Sequence, residues 1–342
     1  MKATNRNATV DIIRGVAMLL VILGHALSNV TADGYQSFLY NIIWTLQMPL
    51  FILVSGYVSR YSRQITTLKQ LGVQFLKKTA SYLLPWVVWT FFVRGLLLGQ
   101  TYFFNWKYLF WNMDSGYWFL TSLWSIVVIF SVAKYLSDKF LKREFFSFVV
   151  FSFFYFVGMM ILGGIGLTFG LSFFAIKLTL YYMVFFYLGY AFGRYQDKLM
   201  TMLGGRKMMD IVIFVSLAVW LFLLKRYDFH NIHDNLYGIL LRGTASLLGC
   251  ISVCGLIAKI NFETVLPKIG GFLNKCGGMT IQLYLIHIPL TALFKPADLP
   301  MFSTPEGCIY VLLNFVVTFV ISRLIIFCTD AFPLLNKILF YK

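Results

Sequence analysis

The chain is 342 residues long, 59% of its residues are hydrophobic, 12% are charged, and its net charge at pH 7 is +16. A soluble domain is usually about 25% charged, so this composition excludes an ordinary soluble enzyme and predicts that lipid solvates most of the chain. The apolar runs recur to the end without a long polar break. We therefore expect residues 1–342 to form a single integral-membrane domain without an appended soluble domain.

The long apolar runs predict about ten transmembrane helices. Each run is close to the ~20 residues that cross a bilayer as an α-helix, and the runs are too long for the strands of a membrane barrel. In chain order, the predicted spans are 9–30, 38–59, 73–98, 117–136, 144–162, 173–193, 208–224, 236–258, 279–295 and 306–328. The predicted fold class is therefore an all-α polytopic membrane protein, built as a helix bundle.

Basic residues concentrate in alternate connections between the predicted spans. Lysines and arginines lie before the first span, after the second, fourth, sixth and eighth, and in the tail, whereas 31–37 and 163–172 carry none. By the positive-inside rule, the basic connections and both termini lie in the cytoplasm. The same rule explains the net charge without nucleic acid, so we expect a multi-pass protein of the inner or plasma membrane and no nucleic-acid partner.

The first span contains an arginine and a histidine within an apolar run. Arg14 and His25 are eleven residues apart, so they share one helix face and lie about 16 Å apart along its axis. Asp11 precedes Arg14 by three residues, which is a spacing that allows an ion pair. Ionisable groups inside spans are costly and usually mark functional sites. This face would suit an anionic cytosolic ligand whose reactive end points towards the imidazole.

Arg14 and His25 also have structural interpretations. The arginine could extend its guanidinium to the lipid headgroups, and the histidine could simply hydrogen-bond a neighbouring helix. Their alignment on one face favours a shared site, in which His25 could act as a base.

Two further residues are candidates for a binding cavity. Trp118 lies at the predicted outer boundary of the fourth span, where an interfacial aromatic belt and a stacking platform for a sugar ring are both open interpretations. Arg242 lies about two turns inside the eighth span, and it is the best site candidate among the remaining cations in or near spans. The histidines in the loop 227–235 are more simply part of a solvated polar loop than a metal site, and we expect no metal.

Several motifs resemble those of the membrane acyltransferase-3 family. Arg14-x10-His25 after Asp11 is similar to the signature of the family's first helix. Other similar segments follow in the family's order, namely MPLFILVSGY (48–57), GYWFLTSLW (116–124), FFYLGYAFG (185–193) and GGMTIQLYLIHIPL (277–290). Together these motifs extend over nearly the whole chain, and they resemble in particular the fucose O-acetylase-like branch.

The resemblance implies ten helices, an acyl-CoA donor bound from the cytoplasm, and transfer of the acyl group to a carbohydrate hydroxyl. It implies that Arg14 and His25 are the functional pair, and that Tyr284 and His287 line the same cavity. One departure is Gln47, because many relatives in this branch have histidine at this position. The resemblance also implies that this chain finishes the transfer itself or passes the group to a separate partner, since no esterase domain is expected.

We therefore predict an acetyl-CoA-dependent O-acetyltransferase. The expected acceptor is a cell-surface polysaccharide or its lipid-linked precursor, with His25 as general base or transient acyl carrier and Arg14 holding the donor. A carrier or flippase for a lipid-linked sugar is the alternative, although such a protein is expected to show broken helices or an internal repeat. An interaction partner without activity would leave the aligned Arg14 and His25 unexplained. The oligomeric state stays open, with a homo-oligomer among the possibilities.

Overall fold

The computed structural model describes residues 7–113, 116–140, 143–202, 205–262 and 264–342. Within these ranges every regular element is a helix. Nine of the described helices are long and apolar enough to cross a membrane, and one bent pair of helices provides a tenth candidate span. The all-α fold class and the number of spans predicted from the sequence are therefore confirmed, whereas the side on which the termini lie stays a prediction.

Each predicted span corresponds to a helix, although two helices end at Phe169 and Met202, beyond the predicted limits of 162 and 193. Numbered in chain order, the α-helices are α1 (Ala8–Val30), α2 (Phe38–Ser59), α3 (Leu68–Val87), α4 (Trp106–Trp111), α5 (Trp118–Asp138), α6 (Glu144–Phe169), α7 (Ile176–Met202), α8 (Arg206–Arg226), α9 (Leu236–Lys259), α10 (Pro267–Gly278), α11 (Thr280–Leu293), α12 (Pro305–Asp330) and α13 (Pro333–Phe340). A π-helical stretch, Val88–Leu97, continues α3.

The chain divides into two compact units. The first comprises residues 1–58 and 188–327, and the second comprises residues 59–187 and 328–342. In the first unit, α1 packs against α9, α10 and α11, and α8 packs against α9. In the second unit, α5 packs against α3 and α6, and α13 packs against α3.

The third span begins earlier than its hydropathy predicts. The side chain of Thr67 accepts a hydrogen bond from the backbone N–H of Gln70, and the side chain of Gln70 bonds back to the N-cap backbone. This capping box satisfies backbone donors that would otherwise be unpaired. The helix therefore starts at Leu68, in a basic and polar segment that hydropathy alone assigns to a connection.

The ninth predicted span is one arm of a broken helix. The predicted range 279–295 corresponds to α11, and α10 precedes it at a bend of 82°. The bend falls at Met279, whose φ of −119° and ψ of 19° are not helical. Gly277 and Gly278 precede this point, and glycine is a poor helix former. The sequence therefore predicted α11 but missed α10 and the sharp turn between them.

Candidate active site

The first turns of α1 hold the acidic and basic pair expected from the sequence. The side chain of Asn7 accepts hydrogen bonds from the backbone of Thr9 and Val10, and this cap starts the helix. One turn later, Arg14 Nη1 lies 3.5 Å from Asp11 Oδ1. The Asp11 side chain is 4% exposed, whereas that of Arg14 is 26% exposed. The carboxylate thus holds the guanidinium while leaving part of it accessible.

Two glycines bring the broken helix against α1. A side chain at Gly15 would overlap the backbone of Leu273 in α10, and one at Gly277 would overlap the backbone of Asp11. Small residues allow helix backbones to approach this closely. The contact fixes the bend between α10 and α11 beside the Asp11–Arg14 pair, and it sets the direction in which α11 leaves.

The broken helix places a second histidine beside His25. The ring centroids of His25 and His287 are 5.1 Å apart, and the planes are inclined by 55°. Tyr284 lies one turn before His287, with 5.9 Å between the ring centroids. Three of the predicted site residues are therefore assembled from two helices that are far apart in the chain.

The hydrogen bonding of His287 defines which of its nitrogens can accept a proton. Its Nδ1 is 2.9 Å from the carbonyl oxygen of Leu283. Because a carbonyl oxygen only accepts, Nδ1 carries a proton, and in a neutral ring the lone pair then lies on Nε2. This Nε2 is buried and has no hydrogen-bonding partner among the described residues. The site thus contains an oriented imidazole whose basic nitrogen is not used by the fold.

Gln47 lies on the α2 side of the same region. Its Oε1 would be 3.2 Å from a Cβ placed on Gly24, the residue before His25. The oxygen is buried and lacks a hydrogen-bonding partner within the described part of the chain. The glutamine that departs from the resembling family's pattern therefore packs against α1 at Gly24.

Trp118 and Arg242 contact residues that are not among the predicted site residues. Trp118 is the first residue of α5, in the second unit, where its ring stacks on Tyr182 with centroids 5.5 Å apart and planes 15° apart. Arg242 pairs with Asp234 at 3.3 Å and donates to the carbonyl oxygen of Ile232 at 3.1 Å. These contacts attach the preceding loop to α9. A role for Trp118 or Arg242 in a cavity stays a prediction.

Sequence reasoning missed a row of buried polar residues on α12. Asn314, Thr318 and Ser322 are 4%, 0% and 0% exposed, respectively. Each has one side-chain oxygen without a hydrogen-bonding partner among the residues that the structure describes. The apolar run 306–328 concealed them, but their regular spacing of four residues was a visible signal, because it places them on one helix face.

This combination defines a class of protein, namely a polytopic helical membrane protein with a polar site between its spans. The chain belongs to the acyltransferase 3 family, since the family model described as "Acyltransferase domain" matches residues 7–323. The match includes all seven residues proposed from the sequence as site residues. Residues 7–323 are therefore assigned to an acyltransferase domain.

One curated relative is similar over part of the chain. Nodulation protein NolL of Sinorhizobium fredii (strain NBRC 101917 / NGR234) is 26% identical over 148 residues, and the match covers 39% of this chain and 37% of the relative. The chain therefore spans well under two thirds of that relative's length. No solved structure matches this chain.

Proposed function

We propose that this acyltransferase moves an acetyl group from cytoplasmic acetyl-CoA to a hydroxyl of a cell-surface polysaccharide or of its lipid-linked precursor. The observation that supports this most directly is the pair of imidazoles, His25 and His287, 5.1 Å apart on α1 and α11. Acyl transfer to a hydroxyl needs a group that removes the hydroxyl proton, and histidine is the most common such group. The proposed location is the cell membrane.

The proposed reaction is a balanced acyl transfer. The acceptor oxygen attacks the thioester carbonyl carbon, its proton passes to an imidazole, and the carbon–sulfur bond breaks. The sulfur leaves as a thiolate and takes up the proton, so the products are the O-acetyl ester and free CoA. His25 acts either as the general base or as a transient acyl carrier. His287 provides a second imidazole whose Nε2 lone pair is directed by the bond to Leu283.

Arg14 is proposed to hold the phosphate groups of the donor. Its guanidinium is partly exposed, is oriented by Asp11, and lies about 16 Å along α1 from His25. Guanidinium groups bind phosphates through paired hydrogen bonds. A donor anchored at Arg14 would extend along α1, with its thioester towards the histidines.

The bend between α10 and α11 favours the carrier as the second candidate function. Discontinuous helices often form the substrate sites of transporters. However, broken helices are also tolerated at membrane depth wherever they line a buried polar site, and membership of the acyltransferase family favours the enzyme. The two functions differ in a covalent product, because only the enzyme moves acetyl from CoA to glycan.

The test is the O-acetyl content of surface glycan, measured by NMR in a deletion strain that is complemented with wild type, His25→Ala or His233→Ala. His233 is an exposed loop residue and serves as the matched control, and all variants are compared at equal membrane levels. We expect wild type and His233→Ala to restore the acetyl signals and His25→Ala to fail. If the protein restores glycan export without any change in acetylation, the carrier replaces the enzyme.

A further inference from the structure

The row of polar residues on α12, formed by Asn314, Thr318 and Ser322, follows the helix for about 12 Å. A buried serine or threonine in a helix commonly bonds to the carbonyl four residues earlier. In the same unit, the hydroxyls of Thr291 and Ser252 do so, at 3.0 Å from His287 O and 2.7 Å from Leu248 O. The hydroxyls of Thr318 and Ser322 have no such bond in the described structure.

Leaving these atoms without partners is costly. A buried polar atom that lacks a hydrogen bond costs about 1–3 kcal/mol, and such groups are rare enough in folded proteins that each one requires an explanation. The row contains three of them on successive turns of one face. The Nε2 of His287, on α11, is another such atom. This concentration on one side of a helix favours a polar ligand that satisfies these atoms when it binds.

Contacts at two points along α12 define where the row lies. The Nδ2 of Asn314 donates to the carbonyl oxygens of Thr291 and Phe294, at 3.1 and 3.2 Å, near the end of α11. Arg323 contacts the sulfur of Met279, immediately before α11 begins. Thr318 and Ser322 lie between these two points along α12. The row therefore runs beside α11 from its first residue to its last turn, and it passes the level of His287.

The order of chemical groups along this path is informative. At the end where α11 begins, Arg323 is present and Gly277 contacts the Asp11 backbone, one turn from Arg14. The hydroxyls of Ser322 and Thr318 follow, and they bring the path to about the level of His287, whereas Asn314 lies beyond it, near the end of α11. As far as His287, this is the order of groups in an acyl-CoA, whose phosphates are followed by a neutral arm with two amides and then by the thioester.

We propose that Ser322 and Thr318 bind the pantetheine arm of the acyl-CoA donor. The inference rests on the proposed function, since it assumes a CoA donor. The hydroxyls of Ser322 and Thr318 exchange hydrogen bonds with the two amides of the arm. The row is narrow and one-sided, which fits a thin extended arm better than a sugar ring with hydroxyls around its whole edge.

The test measures the binding of CoA and of 3′,5′-ADP, which lacks the arm, to the full-length protein in detergent. The variants are Thr318→Val and Ser322→Ala, and Ser252→Ala is the control for a buried hydroxyl that bonds within its own helix. We expect each α12 variant to weaken CoA binding by about threefold to tenfold. Binding of 3′,5′-ADP by these variants and binding of both ligands by the control should be unchanged.

Three results would overturn the proposal, and they are distinguishable. If wild type binds CoA and both α12 variants bind it equally well, the row has no part in donor binding and the proposed function stands. If the variants instead raise the KM for the glycan acceptor alone, the row serves the acceptor. If wild type binds neither CoA nor 3′,5′-ADP, the CoA-dependent function itself fails, and this inference fails with it.

Discussion

The polar residues of α5 and of α12 show two different uses of buried polarity in a membrane helix. In α5, the hydroxyls of Thr121, Ser125 and Ser131 all donate to carbonyls of their own helix. In α12, Thr318 and Ser322 are equally buried, but their hydroxyls have no partner in the described structure. Satisfied polar groups hold a fold together, whereas unsatisfied ones favour an interaction with a ligand.

The charged groups show the same contrast. In α5, Lys134 Nζ lies 3.3 Å from Asp138 Oδ1, and both side chains are less than a tenth exposed. The other carboxylate oxygen of Asp138 accepts from the backbone of Ile65 at 2.8 Å. Both bonds of Asp138 are made within the protein, and they attach the segment around Ile65 to α5. In α1, Arg14 lies 3.5 Å from Asp11 Oδ1 and stays a quarter exposed, which suits the phosphate-binding role proposed for it.

The largest expected effect is on catalysis, from His287→Asn. The asparagine amide can still donate to Leu283, but it removes the lone pair that Nε2 provides. We expect acetyl transfer to fall by about 10²–10⁴-fold while thermal unfolding in detergent is little changed. A transfer rate near that of wild type would show that this imidazole has only a structural role, like the polar groups of α5.

The next largest effect is a loss of stability, which is expected when Lys134→Ala breaks the ion pair between Lys134 and Asp138. Removing one partner leaves a buried charge, which typically costs about 3–5 kcal/mol. We expect a loss of this order in the free energy of unfolding, measured by denaturation in mixed micelles, with unchanged transfer per folded molecule. Lys139→Ala is the control, because Lys139 is exposed. A loss no greater than that of the control would contradict the assignment of Lys134 to the fold.

A smaller effect is expected from Gly277→Ala, which alters the contact between α1 and the broken helix. The added methyl group would meet the Asp11 backbone, and overpacking of this kind costs about 1–3 kcal/mol. We expect reduced transfer, because α11 and His287 must move. Gly271→Ala, on the same helix with open space around its Cβ position, is the matched control. Equal activity of the two variants would mean that the close contact does not position the site.

The smallest effects are expected to have opposite signs in the two helices. Thr318→Val removes an unsatisfied hydroxyl at nearly constant shape, so we expect unchanged or increased unfolding free energy, by up to about 1–3 kcal/mol. Ser125→Ala removes a satisfied hydrogen bond, and a loss of about 1 kcal/mol is expected. Both are measured by denaturation in mixed micelles. Destabilisation by Thr318→Val as large as that by Ser125→Ala would remove the distinction between the two helices.

Most of the fold follows from hydropathy, whereas the geometry of the site does not. The limits of α1, α2, α5 and α9 lie within about two residues of the predicted spans, because long apolar runs leave one solution in lipid. The bend before α11 could not be predicted in this way. It depends on a glycine pressed against a distant backbone, and α10 is too polar to resemble a span.

The site itself was only partly accessible from the sequence. Helical spacing places Arg14 and His25 on one face, but only the resemblance to a family linked His287 to them. Spacing cannot show that α11 turns back beside α1. Thr318 and Ser322 were hidden in an apolar run, and their significance depends on the hydrogen bonds that they lack, which a sequence does not reveal.

The central claim is that His25 and His287 act together in acyl transfer. The most direct measurement is the acetyl transfer rate of purified full-length protein for wild type, His25→Ala, His287→Asn and the double variant. The effects of residues that act as one unit are strongly non-additive, so we predict that the double variant is about as slow as the slower single variant. If the two losses multiply, or if either single variant retains the wild-type rate, the two imidazoles do not form one catalytic unit.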